Sequence, residues 1–422
     1  MRRLVAVLVV AALLVGLLSA CSGGDDGGAP TDAQVRAALA THARGVLRHD
    51  RDDFLAAVDA GRKAADFRDD QLAEYDNLVT VPLASWSYSL GPQVTDRTAQ
   101  AAARKAYGAS ARIVRLELHY AIRGVDTVPV QHNLWWTFVR GGGKARAVGD
   151  DSLAREGGVS WSGPWDFGPM TTATGRSSVV FGRADGATSL QAIATVVDTA
   201  VPAVTSVWGT GWTRRVAVIV APSSAALTAA IGASTAEQAG GDISALAVSA
   251  GSDPLTNRPL EQRLVIDPAA YAKLSAVGRR ITVTHELTHL ASAAATTEAI
   301  PRWLIEGFAD YVGNLGTGQP VGTVAAELRA QIRAGSVPSA LPGDDAVDAA
   351  STAASAYEQS WLACRLIAAR IGQAGLVRFY RTVGASPDSS NVAVAAAVKT
   401  LLGESVAGFT AQWRAYLRSQ LG

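Results

Sequence analysis

Two histidines four residues apart, His285 and His289, are the residues of this chain whose type and spacing most directly suggest chemistry. On an α-helix, side chains at this spacing lie on the same face, so both imidazoles can reach one ion at the ~2.0–2.1 Å that zinc requires. Glu286 follows His285 directly, and in an H-E-x-x-H segment this carboxylate can accept a proton from a zinc-activated water. The segment therefore predicts a helix that carries two zinc ligands and a general base.

A catalytic zinc site needs a third protein ligand, and no histidine occurs downstream of His289. A ligand from that side must therefore be a carboxylate, and the candidates on the next predicted element are Glu298, Glu306 and Asp310. Pro301 is suited to open a helix in this region. On that helix Glu306 and Asp310 would share a face, so one can bind metal while the other accepts the outer N–H of a ligating histidine and fixes its tautomer.

The segment Pro301–Tyr311, which reads PRWLIEGFADY, resembles the W-L-x-E-G-F-A-x-Y segment of gluzincin peptidases of the aminopeptidase N type. The E-x-x-x-D pairing within it is also similar to that of thermolysin-like enzymes. The resemblance extends over roughly residues 214–421, and its specific motifs lie within residues 285–311.

This resemblance implies a zinc metallopeptidase fold, zinc as the cofactor and hydrolysis of a peptide bond as the reaction. The zinc ligands that it implies are His285, His289 and Glu306. It also implies that Glu286 is the general base and that Asp310 supports a zinc-bound histidine.

A hydrolytic site also needs a hydrogen-bond donor for the oxyanion that develops in the transition state. No histidine is left for this role, which makes a tyrosine the natural candidate. The segment Tyr357–Ser360 opens a predicted amphipathic helix and resembles the Y-E-K-G segment of the same peptidases, differing at its last two positions. The resemblance implies that Tyr357 is the donor, whereas Tyr311 and Tyr380 lie on apolar faces and are predicted to be core residues.

One segment typical of these aminopeptidases is missing. They carry a G-x-M-E-N segment before the metal-binding helix, and its glutamate holds the free amine of the substrate. The corresponding region, Gln262–Pro268, contains no such segment and instead predicts an edge strand that can pair with an extended peptide. The sequence therefore predicts a peptide or protein substrate without favouring exopeptidase specificity.

Strands and helices alternate ahead of the metal-binding segment. Short strands are predicted at residues 178–182, 215–220, 245–248 and 263–266. Beyond Tyr271 the chain is predicted to be almost entirely helical. We therefore expect a gluzincin-like domain over residues 175–422, with a mixed sheet, the H-E-x-x-H helix and a helical C-terminal subdomain.

Residues 31–165 are predicted to form a separate α+β domain. The apolar spacing is helical from Thr31 to Pro82 and then changes to the two-residue alternation of strands, as in Val114–Ile122. Helices followed by antiparallel strands are typical of the α+β class. This element order resembles the cone-shaped fold of the nuclear transport factor 2-like superfamily.

The N-terminus has the features of a targeting signal. Two arginines precede an apolar run, Leu4–Leu18, which is short for a membrane-spanning helix and suits a signal peptide. The following Leu18–Cys21 resembles the lipobox of bacterial lipoproteins, which implies that Cys21 receives a diacylglycerol group and becomes the mature N-terminus. Residues 1–21 are thus predicted to be the signal and residues 22–30 a flexible tether, with the protein lipid-anchored at the extracytoplasmic face of the cell membrane.

Composition agrees with an exported globular protein, since 48% of residues are apolar and 18% are charged. A net charge of +1 gives no general attraction to nucleic acid. After Cys21 the only thiol is Cys364, so no intramolecular disulfide is possible. The apolar helical surroundings of Cys364 predict a buried core residue, and the oligomeric state stays open.

Two functions are compatible with these features. The first is a membrane-anchored extracytoplasmic zinc metallopeptidase. The second is a non-catalytic binding or scaffold lipoprotein with a structural or idle zinc site. Because an idle site has no need of a base, the presence of Glu286 favours the peptidase.

Overall fold

The computed structural model describes residues 28–183, 189–232, 243–253 and 258–422. Helices surround two sheets, a four-stranded antiparallel sheet and a five-stranded mixed sheet. This arrangement confirms the predicted α+β class.

The first sheet and its helices lie between residues 32 and 149. In chain order these elements are α1 (Asp32–Arg48), α2 (Arg51–Ala56), α3 (Ala65–Leu78), β1 (Leu83–Leu90), α4 (Arg97–Tyr107), β2 (Arg112–Ile122), β3 (Val130–Gly141) and β4 (Lys144–Gly149). The strands pair in the order β1-β2-β3-β4. Gly142 and Gly143 close the β3–β4 hairpin with φ values of 58° and 76°, as a two-residue turn of this kind requires.

The apolar residues that alternate along these strands form one buried face, which packs against α1 and α3. Leu116 lies opposite Leu134, and Val114 lies opposite Trp136. Helix α4 was not predicted. Its sequence, RTAQAAARKAY, buries only Ala99 and Ala103, which lie one turn apart. The helix therefore lacks the large buried apolar residues that reveal a helical period.

The second sheet and the helices that follow it begin at residue 171. These elements are β5 (Thr171–Thr174), β6 (Ser178–Gly182), α5 (Leu190–Trp208), β7 (Val216–Val220), α6 (Ser224–Ile231), β8 (Ala245–Val248), β9 (Arg263–Ile266), α7 (Pro268–Lys273) and α8 (Ala276–Ser292). The strand order is β5-β6-β7-β9-β8, with β6, β7 and β9 parallel and the two outer strands antiparallel to them.

The prediction of an edge strand within Gln262–Pro268 is wrong. Strand β9 pairs with β7 on one side and β8 on the other, and all four of its residues are buried. A short apolar run buried on both faces is typical of an inner strand. The edge next to β9 is β8, whose partly buried residues carried a weaker strand pattern.

Both faces of the second sheet are covered. On one face, Val180, Val218 and Leu264 pack against helices that include α5 and α8. On the other face, Phe181 and Ile219 join the core of the first sheet. Helix α5 has the length and composition of a membrane span, but it packs against β6 and α8 as a core helix.

The chain after α8 is helical, as predicted. The helices are α9 (Arg302–Asn314), α10 (Val321–Val324), α11 (Ala326–Arg333), α12 (Asp344–Asp348), α13 (Ala353–Gly384), α14 (Ser390–Ala397) and α15 (Val406–Leu421), with a π-helical turn at Val398–Leu402. Helix α9 packs against both α8 and α13. Cys364 on α13 is a fully buried free thiol, which confirms its prediction as a core residue.

Candidate metal centre

Helix α8 carries the H-E-x-x-H segment and is held at both its start and its sides. The Ser275 side chain accepts the Gly278 N–H and caps the first turn. Val283 and Leu287 are fully buried on the core face. The helix therefore presents His285 as part of a fixed surface rather than on a mobile loop.

The structure brings together three of the predicted residues, His285, His289 and Glu306. The Nε2 atoms of the two histidines lie 3.0 Å apart, and each lies 3.3 Å from Oε2 of Glu306. Zinc bonds of ~2.0–2.1 Å in a tetrahedron place neighbouring ligand atoms about 3.3–3.4 Å apart. The three atoms therefore form one face of a tetrahedron of the size that zinc requires, and they are the group that can hold a metal ion within the described ranges.

Glu306 reaches this group from α9, which Pro301 opens in an extended conformation. Its carboxylate is 6% exposed. Although burial alone would raise its pKa, the two histidines, His289 first, hold the pKa of Glu306 well below its usual value. The carboxylate of Glu306 is thus ionised beside the two histidines.

Asp310 lies one helical turn after Glu306 and contacts the other nitrogen of a candidate ligand. Its Oδ1 atom is 2.8 Å from Nδ1 of His285. Burial lowers the pKa of His285, but the charge and hydrogen bond of Asp310, together with Glu306 and Glu286, raise that pKa overall. When Nδ1 donates to Asp310, the lone pair of Nε2 faces Glu306 and His289, which is the tautomer that metal binding needs.

Glu286 does not belong to the converging group and lies instead against the second sheet. It is 7% exposed, and its Oε2 accepts the backbone N–H of Ala247 at 2.8 Å. Burial raises the pKa of Glu286, although the positive charges of His285 and His289 act to lower it. This carboxylate therefore accepts a proton more readily than an exposed glutamate does.

Tyr357 comes to the same place from the first turns of α13. Its ring lies 6.3 Å from that of His285, with an angle of 24° between the two planes. Burial, followed by the charges of Glu306 and Asp310, raises the pKa of Tyr357 far above its usual value. The hydroxyl therefore stays protonated at neutral pH and remains able to donate a hydrogen bond.

Arg302 is a neighbour of the site that was not predicted. Its Nη2 atom lies 3.5 Å from Oε1 of Glu306, while its Nε donates to Asp348 at 3.1 Å. The oxygen of Glu306 that faces away from the histidines is thus paired with a cation. The i,i+4 spacing of Arg302 and Glu306 on one helix was the available signal.

The other residues named in the sequence analysis lie outside the group of His285, His289 and Glu306. Glu298, the alternative third ligand, is exposed in the segment before α9 and lies outside the converging group. Tyr380 is fully buried, as predicted, and Tyr311 is partly buried against the same core. Cys21 and the signal segment lie outside the described residues.

No family model matches the sequence, and no curated protein matches it. Among solved structures, the chain is similar to a glutamate-to-alanine mutant of an M1 zinc metallopeptidase from Deinococcus radiodurans. The two chains are 14% identical with a TM-score of 0.36, and the match covers 80% of this chain and 61% of that one. It is also similar to a two-domain M1 zinc metallopeptidase mutant bound to L-arginine, at 17% identity and a TM-score of 0.35, covering 74% and 61%.

A two-domain M1 zinc metallopeptidase mutant bound to L-tryptophan matches at 15% identity and a TM-score of 0.34, covering 78% of this chain and 69% of that one. The chain spans about three fifths of the length of the first two structures. The function proposed below rests on the geometry of the chain's own residues.

Proposed function

We propose that this chain is a zinc metallopeptidase that hydrolyses peptide bonds. The observation that carries the proposal is the tetrahedral spacing of His285, His289 and Glu306. These three residues would hold the ion, and Asp310 would orient His285. Zinc in such a site supplies Lewis acidity and lowers the pKa of water to near 7.

Glu286 would act as the general base. It follows a ligand directly, it is buried, and its pKa is raised, so it can take a proton from the attacking water and return it to the leaving amine. Its hydrogen bond with Ala247 fixes the carboxylate, because the donor is part of strand β8. A base held in this way does not need to reorganise during the reaction.

Tyr357 would donate a hydrogen bond to the oxyanion that develops on the substrate. A raised pKa keeps its hydroxyl protonated, and the ring lies beside His285. A donor that is already oriented in a dry site stabilises developing charge more strongly than water does.

The edge of the second sheet supports a peptide as the substrate. Strand β8 pairs with β9 on one side, and in the described part of the chain no strand pairs with its other side. An extended peptide can add to such an edge through main-chain hydrogen bonds. Because Ala247 of β8 contacts Glu286, a peptide on this edge would lie beside the base.

The proposal includes a lipid anchor at the extracytoplasmic face of the membrane. It is supported by the lipobox-like Leu18–Cys21 after an apolar segment. Two acyl chains, at about 0.8 kcal/mol per buried methylene, would hold the protein stably. The anchored protein would act on peptides or proteins outside the cytoplasm.

The test is cleavage of a diverse peptide library by the full-length, zinc-loaded chain, followed by mass spectrometry. Glu286→Gln keeps the side-chain size and the three ligands, so zinc should stay bound while turnover falls by about 10²–10⁴. Glu298→Gln, an exposed residue of the same type, should change neither zinc content nor turnover. A wild-type chain that binds zinc and cleaves nothing would favour a scaffold or binding lipoprotein.

A second variant tests the oxyanion donor. Tyr357→Phe removes only a hydroxyl, so it should preserve fold and zinc and lower turnover by about 10²–10³. Full activity of this variant would place the donor elsewhere without affecting the assignment of the base.

A further inference from the structure

A cavity of about 300 Å³ lies between α3, the inner face of the first sheet and the chain that follows β4. Four of the ten tryptophans of the chain line it: Trp86, Trp136, Trp161 and Trp165. The rings of Trp86 and Trp165 are 5.5 Å apart and inclined by 58°, and those of Trp161 and Trp165 are 5.7 Å apart and inclined by 73°. The cavity is therefore bordered by aromatic rings in several orientations.

Among the described residues, four carboxylates and no basic side chain line the same cavity. Asp70 and Glu74 project from α3, while Asp150 and Asp166 belong to the segment after β4. Among the described residues, none of the four forms an ion pair with a lysine, arginine or histidine. Each is thus an acidic group without a cationic partner.

The raised pKa values of two of these carboxylates agree with a cavity that lacks a positive charge. Desolvation, together with the charges of Asp150 and Asp70, raises the pKa of Asp166 to about 7, although a backbone hydrogen bond from Gly163 acts to lower it. Burial and the charge of Asp166 likewise raise the pKa of Glu74 well above its usual value. A positive ligand would relieve both effects, because it supplies the opposite charge that the cavity lacks.

A metal ion does not fit this arrangement. Within the described ranges, the side chains whose ligand atoms converge closely enough for a metal ion are His285, His289 and Glu306. The carboxylates of the cavity do not form such a group. No three of the four carboxylates bring ligand atoms within 4.8 Å of one another, so they do not form a site for one small ion. A volume of about 300 Å³ instead lies at the lower end of the range of small-molecule pockets, roughly 300–1,000 Å³.

We propose that this cavity binds a small organic cation, a substituted ammonium with an aliphatic body. Tryptophan faces attract such cations through their ring quadrupoles and cover their apolar groups. The carboxylates supply the balancing charge at the cavity wall. This binding function does not depend on the candidate metal centre, which lies on the other side of the second sheet from the first sheet.

The first experiment titrates the full-length chain with choline and with n-butylammonium, and follows binding by calorimetry and tryptophan fluorescence. Both probes carry the shared chemistry, and the tighter one identifies a quaternary or a primary ammonium as the preferred head group. 3,3-Dimethylbutanol, which has the shape of choline without its charge, should bind about tenfold more weakly or not at all. Equal binding of the neutral compound, or no binding of either cation, would overturn the proposal.

The second experiment uses variants that keep side-chain shape. Asp70→Asn removes a charge from an exposed residue that makes no side-chain hydrogen bond in the described part of the chain, so it should fold normally. Glu74→Gln retains an oxygen that can accept the Gln71 amide. Each should weaken cation binding by about tenfold, whereas Asp76→Asn, exposed on the same helix outside the cavity, should leave it unchanged. Unchanged binding in both cavity variants would refute the assignment.

The affinity should also depend on pH. A bound cation competes with the proton on Asp166, so affinity should rise as the pH increases through about 7. In the part of the chain that the structure describes, the groups that face Asp166 are the acids Asp70, Glu74 and Asp150 and the protonated Tyr88, and none of them is a base that would reverse the sign. Affinity that falls over this range would contradict the proposal.

Discussion

Gly307 follows the candidate ligand Glu306 and lies where two helices of the site come closest. A Cβ atom at Gly307 would lie 2.4 Å from the backbone oxygen of Ser360 and 2.5 Å from its carbonyl carbon. Ser360 is on α13, one turn after Tyr357. The chain thus needs glycine here because helix α9 approaches the backbone of α13 directly.

The cost of Gly307→Ala can be worked out from these distances. Ordinary contact begins near 3.4 Å, so a Cβ 2.4 Å from an oxygen requires the helices to separate by about 1 Å. Neither obstructing atom is the end of a flexible side chain. Overpacking of this kind costs about 1–3 kcal/mol, and a 1 Å misplacement of reacting groups can cost about 10²-fold in rate. Because α9 lies between α8 and α13, the same movement would change the position of Glu306 relative to the two histidines and to Tyr357.

The assay compares urea unfolding, zinc affinity and peptide turnover in Gly307→Ala and wild type. We expect losses in all three, with turnover about 100-fold lower. Gly343→Ala is the matched control, because a Cβ at Gly343 meets nothing within 4 Å and its φ of −76° suits alanine. If Gly307→Ala keeps the unfolding midpoint and the zinc affinity of wild type, the two helices do not pack as closely as described.

Three further outcomes follow from the same structure and sequence. Asp310→Asn should weaken zinc binding by about 10–100-fold, measured by chelator competition, and an unchanged affinity would remove Asp310 from its role. Cys21→Ser should release the protein from membranes or block its processing, and wild-type fractionation would refute lipidation. Burial lowers the pKa of His42 to about 4. The neutral imidazole therefore makes its full contribution to the free energy of unfolding above pH 6.5, and this contribution is lost as the pH falls toward 4. This loss of at most about 3 kcal/mol should make the free energy of unfolding in urea depend more steeply on pH in wild type than in His42→Gln. The same pH dependence in both proteins would contradict the expectation.

The grouping of the candidate metal ligands could be predicted from sequence because its parts are local. His285 and His289 share a helical face by spacing alone, and the absence of later histidines restricts the third ligand to a carboxylate. The choice of Glu306 over Glu298 came from a family resemblance, and the geometry agrees with it. The antiparallel sheet was predictable for the same reason, since the two-residue alternation of Val114–Ile122 records which face is buried.

Features that depend on distant parts of the chain were not predictable. Whether β9 is an inner or an edge strand depends on its pairing with β8 and β7, and a strand's pairing partners are not part of its local sequence. Asp70 belongs to a charged helical face that predicts contact with solvent only, and the fold brings it to a cavity shared with Asp166. The ring of Tyr357 reaches His285 only because α9 packs between α8 and α13.

The central claim is that two histidines and one glutamate hold zinc, and metal analysis combined with zinc X-ray absorption tests it most directly. Wild-type protein should contain one zinc per chain, bound to two imidazole nitrogens and a carboxylate oxygen at ~2.0–2.1 Å. Glu306→Ala should lose the metal, and Glu298→Ala should keep it. Zinc absent from wild type, or present equally in wild type and Glu306→Ala, would contradict the account.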